Sequence, residues 1–380
     1  MLKRAVIILV VIMLMFLACF RASCLEKADL SAQCAVLYYP DGDKILFEKN
    51  AHTQRSMAST TKIMTSLIAL EECTPDAVVA VTPEMINVEG TSSSLCVGDK
   101  ITLRDLVYCM MLESGNDAAN AVALYLGGSF EGFAEMMNNK ASAIGMKNTS
   151  FVTPSGLDDE NHYTTAYDMS LLAAEALENR EFYSVSSTES KKISFVYPEK
   201  SKTMYNHNKL LTLYEGCIGL KTGFTKKSGR CLVSAAERNG IRLIAVTLNA
   251  GDDWNDHKKL LDYGFSCIKS CKADTSLGGF AVRVVGGNAE SVSVRANETS
   301  LGIPESENGK VTRKIYLPKF IYAPVSENDV VGYAEYSIGS EIIKTIPLTA
   351  SENVGVTKNI KKQNLLRRFL SLLDSWWKNG

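Results

Sequence analysis

Met57-Ala58-Ser59-Thr60-Thr61-Lys62-Ile63-Met64-Thr65 sets a serine three residues ahead of a lysine. Apolar residues continue at 63, 64, 67, 68 and 70, a spacing that predicts a helix over residues 61–71 with Ser59 at its N-terminus. At i and i+3 on a first turn, two side chains project from one face, so the lysine amine can reach the serine oxygen. A serine hydroxyl is a poor nucleophile until a base takes its proton, and lysine is a base only when neutral. Burial and a second nearby cation would lower its pKa toward that state. Ser-x-x-Lys occurs by chance in many chains, so the residues downstream decide its meaning.

Ser114-Gly115-Asn116 follows the apolar run that ends near Glu113 and places two polar side chains on a loop. Ser114 can relay a proton to a leaving amine, and the Asn116 amide can orient both a lysine and a substrate amide. Lys221-Thr222-Gly223 lies on a candidate strand beside a hairpin at Asn239-Gly240. Lys221 is a candidate second cation, and with Thr222 it can bind a substrate carboxylate. Gly223 lets an extended substrate approach as an extra strand. The backbone N–H groups of Ser59 and Phe224 would then form an oxyanion hole. In this order the three motifs supply every part of a serine acyl-transfer site that uses lysine as base.

Outward from the motifs, residues 33–39 and 44–47 predict a β-hairpin closed by Pro40-Asp41-Gly42-Asp43. Helices are expected from 102 to about 113, then over 116–126, 130–144 and 165–178, so the middle of the chain is expected to be mostly helical. After Gly219 the period shortens to strands, 231–238 and 241–249 around Asn239-Gly240, followed by a helix over 253–269. From 274 to 350, alternation as in Ser291-Val292-Ser293-Val294 predicts a small separate β domain.

The ends carry different signals. Lys3 and Arg4 precede the apolar run from Ala5 to Phe20, and Ala22 and Ser23 follow, which is the layout of a secretory signal over residues 1–24. Sixteen residues is short for a bilayer span of about 20. Leu365, Leu366, Phe369, Leu370, Leu372, Leu373, Trp376 and Trp377 fall within an arc of about 160° on a helix. Between Lys358 and Lys378 six basic residues stand against one acid. Residues 357–379 are therefore expected to form a cationic amphipathic helix suited to a membrane surface.

Composition sets limits. With 41 Lys and Arg against 42 Asp and Glu, no global field attracts nucleic acid. The 380 residues, 46% apolar, suffice for two domains with a core. Ten cysteines include Cys19 and Cys24 in the signal, and the other eight mostly sit in apolar segments as small buried hydrophobes. Cys267 and Cys271 are expected on one helix face. His52, His162, His207 and His257 are scattered, so neither a metal site nor a cofactor is expected.

With these motifs the chain resembles the low-molecular-mass penicillin-binding proteins, D-alanyl-D-alanine carboxypeptidases of the serine type. Beyond the three motifs, the blocks Leu112 to Ala119, Pro154-Ser155-Gly156-Leu157 with His162, Thr165 and Asp168, and Gly219 to Thr225 carry the likeness, which covers roughly residues 27–270. Ala323-Pro324-Val325 and Gly332 extend it weakly. The resemblance implies an α/β (α+β) catalytic domain of the β-lactamase/transpeptidase-like type over 25–272, a small all-β domain over 273–352, and the C-terminal amphipathic helix. It implies Ser59 as acylated nucleophile, Lys62 as base, Ser114 and Asn116 as relay and orienting group, and Lys221 with Thr222 as carboxylate binders. His162 and Asp168 are left as structural. The implied partners are peptidoglycan stems ending in D-Ala-D-Ala, β-lactams and, through the helix, the outer face of the cytoplasmic membrane. Two rivals share parts of the pattern: a class A β-lactamase, whose Glu-x-x-x-Asn pattern the loop Asp158-Asp159-Glu160-Asn161 does not show, and a silent cell-wall-binding protein.

Overall fold

A computed structural model describes residues 25–304 and 310–357. The expected signal and, apart from Thr357, the expected terminal helix lie outside the described residues. The chain divides into two compact units near Ser270.

In the first unit, Cys34–Tyr39 (β1) and Lys44–Lys49 (β2) form the expected antiparallel hairpin. Its turn is a 3-10 turn, Pro40–Gly42, closed by Asp43 in the left-handed region (φ 48°), a conformation that Asp tolerates better than most residues. Strands Val78–Ala80 (β3), Lys100–Thr102 (β4), Ser190–Tyr197 (β5) and Lys200–Tyr205 (β6) make a four-stranded antiparallel sheet. The β5–β6 hairpin corrects the expectation of a mostly helical middle. Within it only Ile193, Phe195 and Met204 are buried, so its alternation rests on three side chains.

Cys217–Thr225 (β7), Gly229–Arg238 (β8) and Ile241–Ala250 (β9) complete a five-stranded antiparallel sheet in the order β2-β1-β9-β8-β7. Asn239 and Gly240 turn β8 into β9 with positive φ at both positions, 52° and 75°, as a tight two-residue hairpin requires. This sheet is covered on both faces. Val36 and Tyr38 pack into one core with the helices Lys62–Glu71, Leu103–Glu113 and Ala166–Glu178, while Ala35, Leu37 and Tyr39 pack into another with Leu260 and Leu261 of the helix Asp253–Cys267. Burial on both sides explains why β1 is a continuous apolar run with no alternation.

Helix Lys62–Glu71 is buried from Lys62 to Leu70, the environment of a helix surrounded by others. The hydroxyls of Thr102 and Thr165 cap the helices that follow them, accepting from Asp105 N and Asp168 N. The helix Asp253–Cys267 ends earlier than expected, because Ile268 turns extended and starts a strand, Ile268–Lys272. Cys271 therefore lies on a strand and not on the helix face. The eight described cysteines are free, but only Cys34, Cys109 and Cys231 are buried and Cys96 is exposed, which corrects their reading as mostly core residues.

The described residues of the second unit form strands and no helix. Its six-stranded sheet encloses a core of alternating side chains, among them Val282, Val284, Val292, Val294, Ile343 and Leu348. Val354 belongs to this core, 1% exposed and paired with Val325. Among the described residues no helix is long and apolar enough to cross a membrane.

Candidate active site

Ser59 does not start an α-helix. It sits in the 3-10 turn Ala58–Thr61, which runs directly into helix Lys62–Glu71. In a 3-10 turn, residues i and i+3 eclipse one another, so Ser59 and Lys62 stand side by side with Nζ 3.0 Å from Oγ. Ala58, just before the serine, takes the left-handed conformation (φ 47°), an unusual one for a residue with a side chain.

Two further groups surround the amine. Asn116 Oδ1 and the Ser155 carbonyl oxygen each lie 2.7 Å from Lys62 Nζ. A neutral amine has two hydrogens and one lone pair. These two acceptors take the hydrogens, which leaves the lone pair for the Ser59 hydroxyl. Lys62 is 0% exposed, and its pKa is held well below the usual lysine range, first by burial and then by the Lys221 charge, with Asp117 acting in the opposite sense.

The second motif joins two helices. Ser114 caps Leu103–Glu113 with a left-handed backbone (φ 64°) and lines the cleft beside Ser59. Asn116 opens helix Asn116–Gly127, and its Nδ2 donates to Glu89 O at 2.6 Å, which fixes the amide with its oxygen toward Lys62. The third motif lies on β7. Lys221 is 1% exposed and donates to Thr222 O at 3.0 Å, and burial lowers its pKa to about 7. Gly223 passes so close to the nucleophile turn that a Cβ there would stand 3.1 Å from Ser59 N. This crossing brings the β7 backbone beside Ser59.

A cleft of about 330 Å³ is lined by Ser59, Ser114, Thr222, Gly223, Phe224 and Arg230, among others. A second lobe of about 550 Å³ shares Ser59 and Phe224 and adds Asn116, Ser155 and Gly156. Every residue singled out in the three motifs is brought to this region. The sequence reading assigned no role to the Ser155 carbonyl, because a main-chain oxygen has no residue type to betray it. Arg230 was also missed, although it stands opposite Phe224 in the β7–β8 register. Its guanidinium is 45% exposed, held by the buried Asp253 at 2.8 Å, and lies 5.8 Å from the Trp254 ring centre. Asp168, 1% exposed, accepts from Asn148 N and Thr149 Oγ1. His162 touches Thr61 of the nucleophile turn.

A family model described as D-alanyl-D-alanine carboxypeptidase matches residues 21–252, and one described as the C-terminal domain of penicillin-binding protein 5 matches residues 265–356. The D-alanyl-D-alanine carboxypeptidase DacF of Bacillus subtilis is 29% identical over 91% of this chain and 90% of its own length. DacC of Escherichia coli is 30% identical over 87% and 86%. Among solved structures, penicillin-binding protein 5 from Haemophilus influenzae superimposes with a TM-score of 0.63 at 28% identity, covering 87% of this chain and all of that one. The Streptomyces K15 DD-transpeptidase does so with a TM-score of 0.61 at 32% identity, covering 64% of this chain.

Proposed function

This chain belongs to the serine D-alanyl-D-alanine carboxypeptidases, and on that premise we propose how its cleft removes the terminal D-alanine from a peptidoglycan peptide stem. It is a hydrolase and a penicillin-binding protein, and the readings as a class A β-lactamase or a silent wall-binding protein find no support among its relatives.

In the proposed path the stem lies along β7 with its terminal carboxylate at Lys221 and Thr222. The carboxylate favours the charged form of Lys221, whose pKa burial lowers to about 7. Neutral Lys62 takes the Ser59 proton as Oγ bonds to the carbonyl carbon of the scissile amide. The oxyanion is held by the N–H groups of Ser59 and Phe224. As the C–N bond breaks, the proton passes by way of Ser114 to the leaving amine, and free D-alanine departs. Water then attacks the acyl-enzyme with Lys62 again as base, which restores Ser59 and releases the shortened stem. A β-lactam presents a similar carbonyl and carboxylate to the same groups and acylates Ser59.

The single observation that carries this reading is the Lys62 amine, buried, 3.0 Å from Ser59 Oγ and bonded to two acceptors that leave its lone pair for the serine. The test is labelling with a fluorescent penicillin alongside D-alanine release from a peptide ending in D-Ala-D-Ala. Ser59→Ala is expected to lose both, and undiminished labelling of that variant overturns the assignment.

We further propose export through residues 1–24 and peripheral attachment at the outer face of the cytoplasmic membrane through residues 357–379. The support is the sequence: the apolar arc ending in Trp376 and Trp377, opposite Arg367, Arg368 and Lys378.

A further inference from the structure

His162 stands outside the proposed path, yet it touches both halves of the site. The ring is 1% exposed. Its Nδ1 accepts the N–H groups of Val152 at 3.0 Å and Thr153 at 3.3 Å. A ring nitrogen that accepts carries no hydrogen in the neutral imidazole, so these two donors put the proton on Nε2. Nε2–H then donates to Thr61 Oγ1 at 2.8 Å, and the Thr61 hydroxyl passes its own hydrogen to Ala58 O at 2.9 Å. Every donor and acceptor in this chain of bonds is fixed in one direction.

The two ends of the chain of bonds matter for the chemistry. Ala58 O belongs to the left-handed residue that aims Ser59. Val152 and Thr153 begin the segment that brings Ser155 O to Lys62. The same segment is held against the nucleophile turn at two other points. Thr65 Oγ1 donates to Pro154 O at 2.6 Å, and Gly156 lies so near Ala58 that a Cβ would meet its carbonyl oxygen at 1.9 Å. Burial keeps the imidazole neutral, its pKa lowered to about 4 against the opposing charges of Asp159 and Asp158.

We propose that His162, acting through Thr61, is a positioning residue for acylation: it locks the Ala58 turn to the Ser155 segment so that the lone pair of Lys62 faces Ser59 Oγ. This rests on Ser59 and Lys62 as nucleophile and base. The role differs from filling the core, because it predicts a loss in the chemical step with little loss in binding: Lys221 and Thr222, which bind the substrate carboxylate, lie on another element.

The experiment measures the saturating acylation rate constant and the dissociation constant for a fluorescent penicillin, kcat and KM on a D-Ala-D-Ala peptide, and Tm. Thr61→Val keeps the shape and removes the hydroxyl; His162→Asn keeps an acceptor for the loop amides and removes the donor to Thr61. Each is expected to lower the saturating rate constant and kcat by about 10- to 100-fold, with the dissociation constant and KM within about twofold of wild type. Thr61→Ser is expected to restore most of the rate. A folded Thr61→Val protein with a saturating rate within about twofold of wild type overturns the proposal, as does a loss confined to binding. Should His162→Asn fail to fold, Thr61→Val alone decides. Ser59→Ala in parallel separates the two levels: if it is unlabelled while Thr61→Val is unimpaired, the acyl-transfer reading stands and the role of His162 falls.

Discussion

The carbonyl oxygen of Ser155 lies 2.7 Å from Nζ of Lys62, across 93 residues of sequence. The base is thus oriented in part by a main-chain atom, held there by a segment that packs directly on the turn carrying Ser59. Backbone shape in that segment should therefore control the chemistry alongside the side chains of the three motifs.

Gly156 gives the most direct test of that dependence. It has φ +86°, and a Cβ would stand 1.9 Å from Ala58 O and 2.4 Å from Ala58 C. Neither atom can swing aside as a side-chain tip would. Gly156→Ala is expected to cost at least about 1 kcal/mol of stability and to lower acylation by about 100-fold through displacement of Ser155 O. Denaturant unfolding and penicillin labelling read the two effects, and wild-type values for both would contradict the packing described.

Lys62→Arg keeps hydrogen-bond donors at this position but puts a permanent cation where a neutral amine is needed, since guanidinium stays charged throughout the accessible pH range. Acylation is expected to fall by about 100-fold or more. Circular dichroism should show a folded protein. Labelling at the wild-type rate would place the base elsewhere.

The acid limb of the acylation profile should report Lys62, because only its neutral form takes the serine proton. The Lys221 charge is the second cause of the lowered Lys62 pKa, after burial. Replacing Lys221 with Met removes that repulsion, which stabilises the Lys62 ammonium and raises its pKa. The acid limb is expected to move to higher pH in Lys221→Met. A penicillin acylation profile with its acid limb unmoved, or moved to lower pH, would show that the two amines do not interact.

Membrane attachment is expected to reside in the terminal segment and not in the β domain. A truncated protein should end at Thr357, since Val354 fills the β-domain core and Thr357 N donates to Gly286 O. With the signal also removed, this form should stay soluble and active and leave anionic vesicles alone. The form that continues to Gly380 should bind such vesicles, more weakly as salt screens its cations. Equal sedimentation of both forms with vesicles would exclude the terminal segment as the anchor.

The sequence by itself determined the elements whose signals are local. Helical spacing after Ser59, the helix starts near 102 and 165, and Asn239-Gly240 between two strands each depend on a few neighbouring residues, and the matching elements lie within a few residues of their expected bounds. The order of Ser-x-x-Lys, Ser-x-Asn and Lys-Thr-Gly was equally legible, because side-chain chemistry names its residues. Three features needed the tertiary structure. The β5–β6 hairpin buries only Ile193, Phe195 and Met204, too little alternation to announce a sheet. The lowered pKa of Lys62, expected from burial and from Lys221 as candidate second cation, depends on packing that buries the amine and brings Lys221 to it from a distant strand. The orientation of the base comes from Ser155 O, with His162 and Gly156 beside it. A main-chain carbonyl is the same atom in every residue, so only folding, by bringing that loop against the nucleophile turn, makes one of them part of a site.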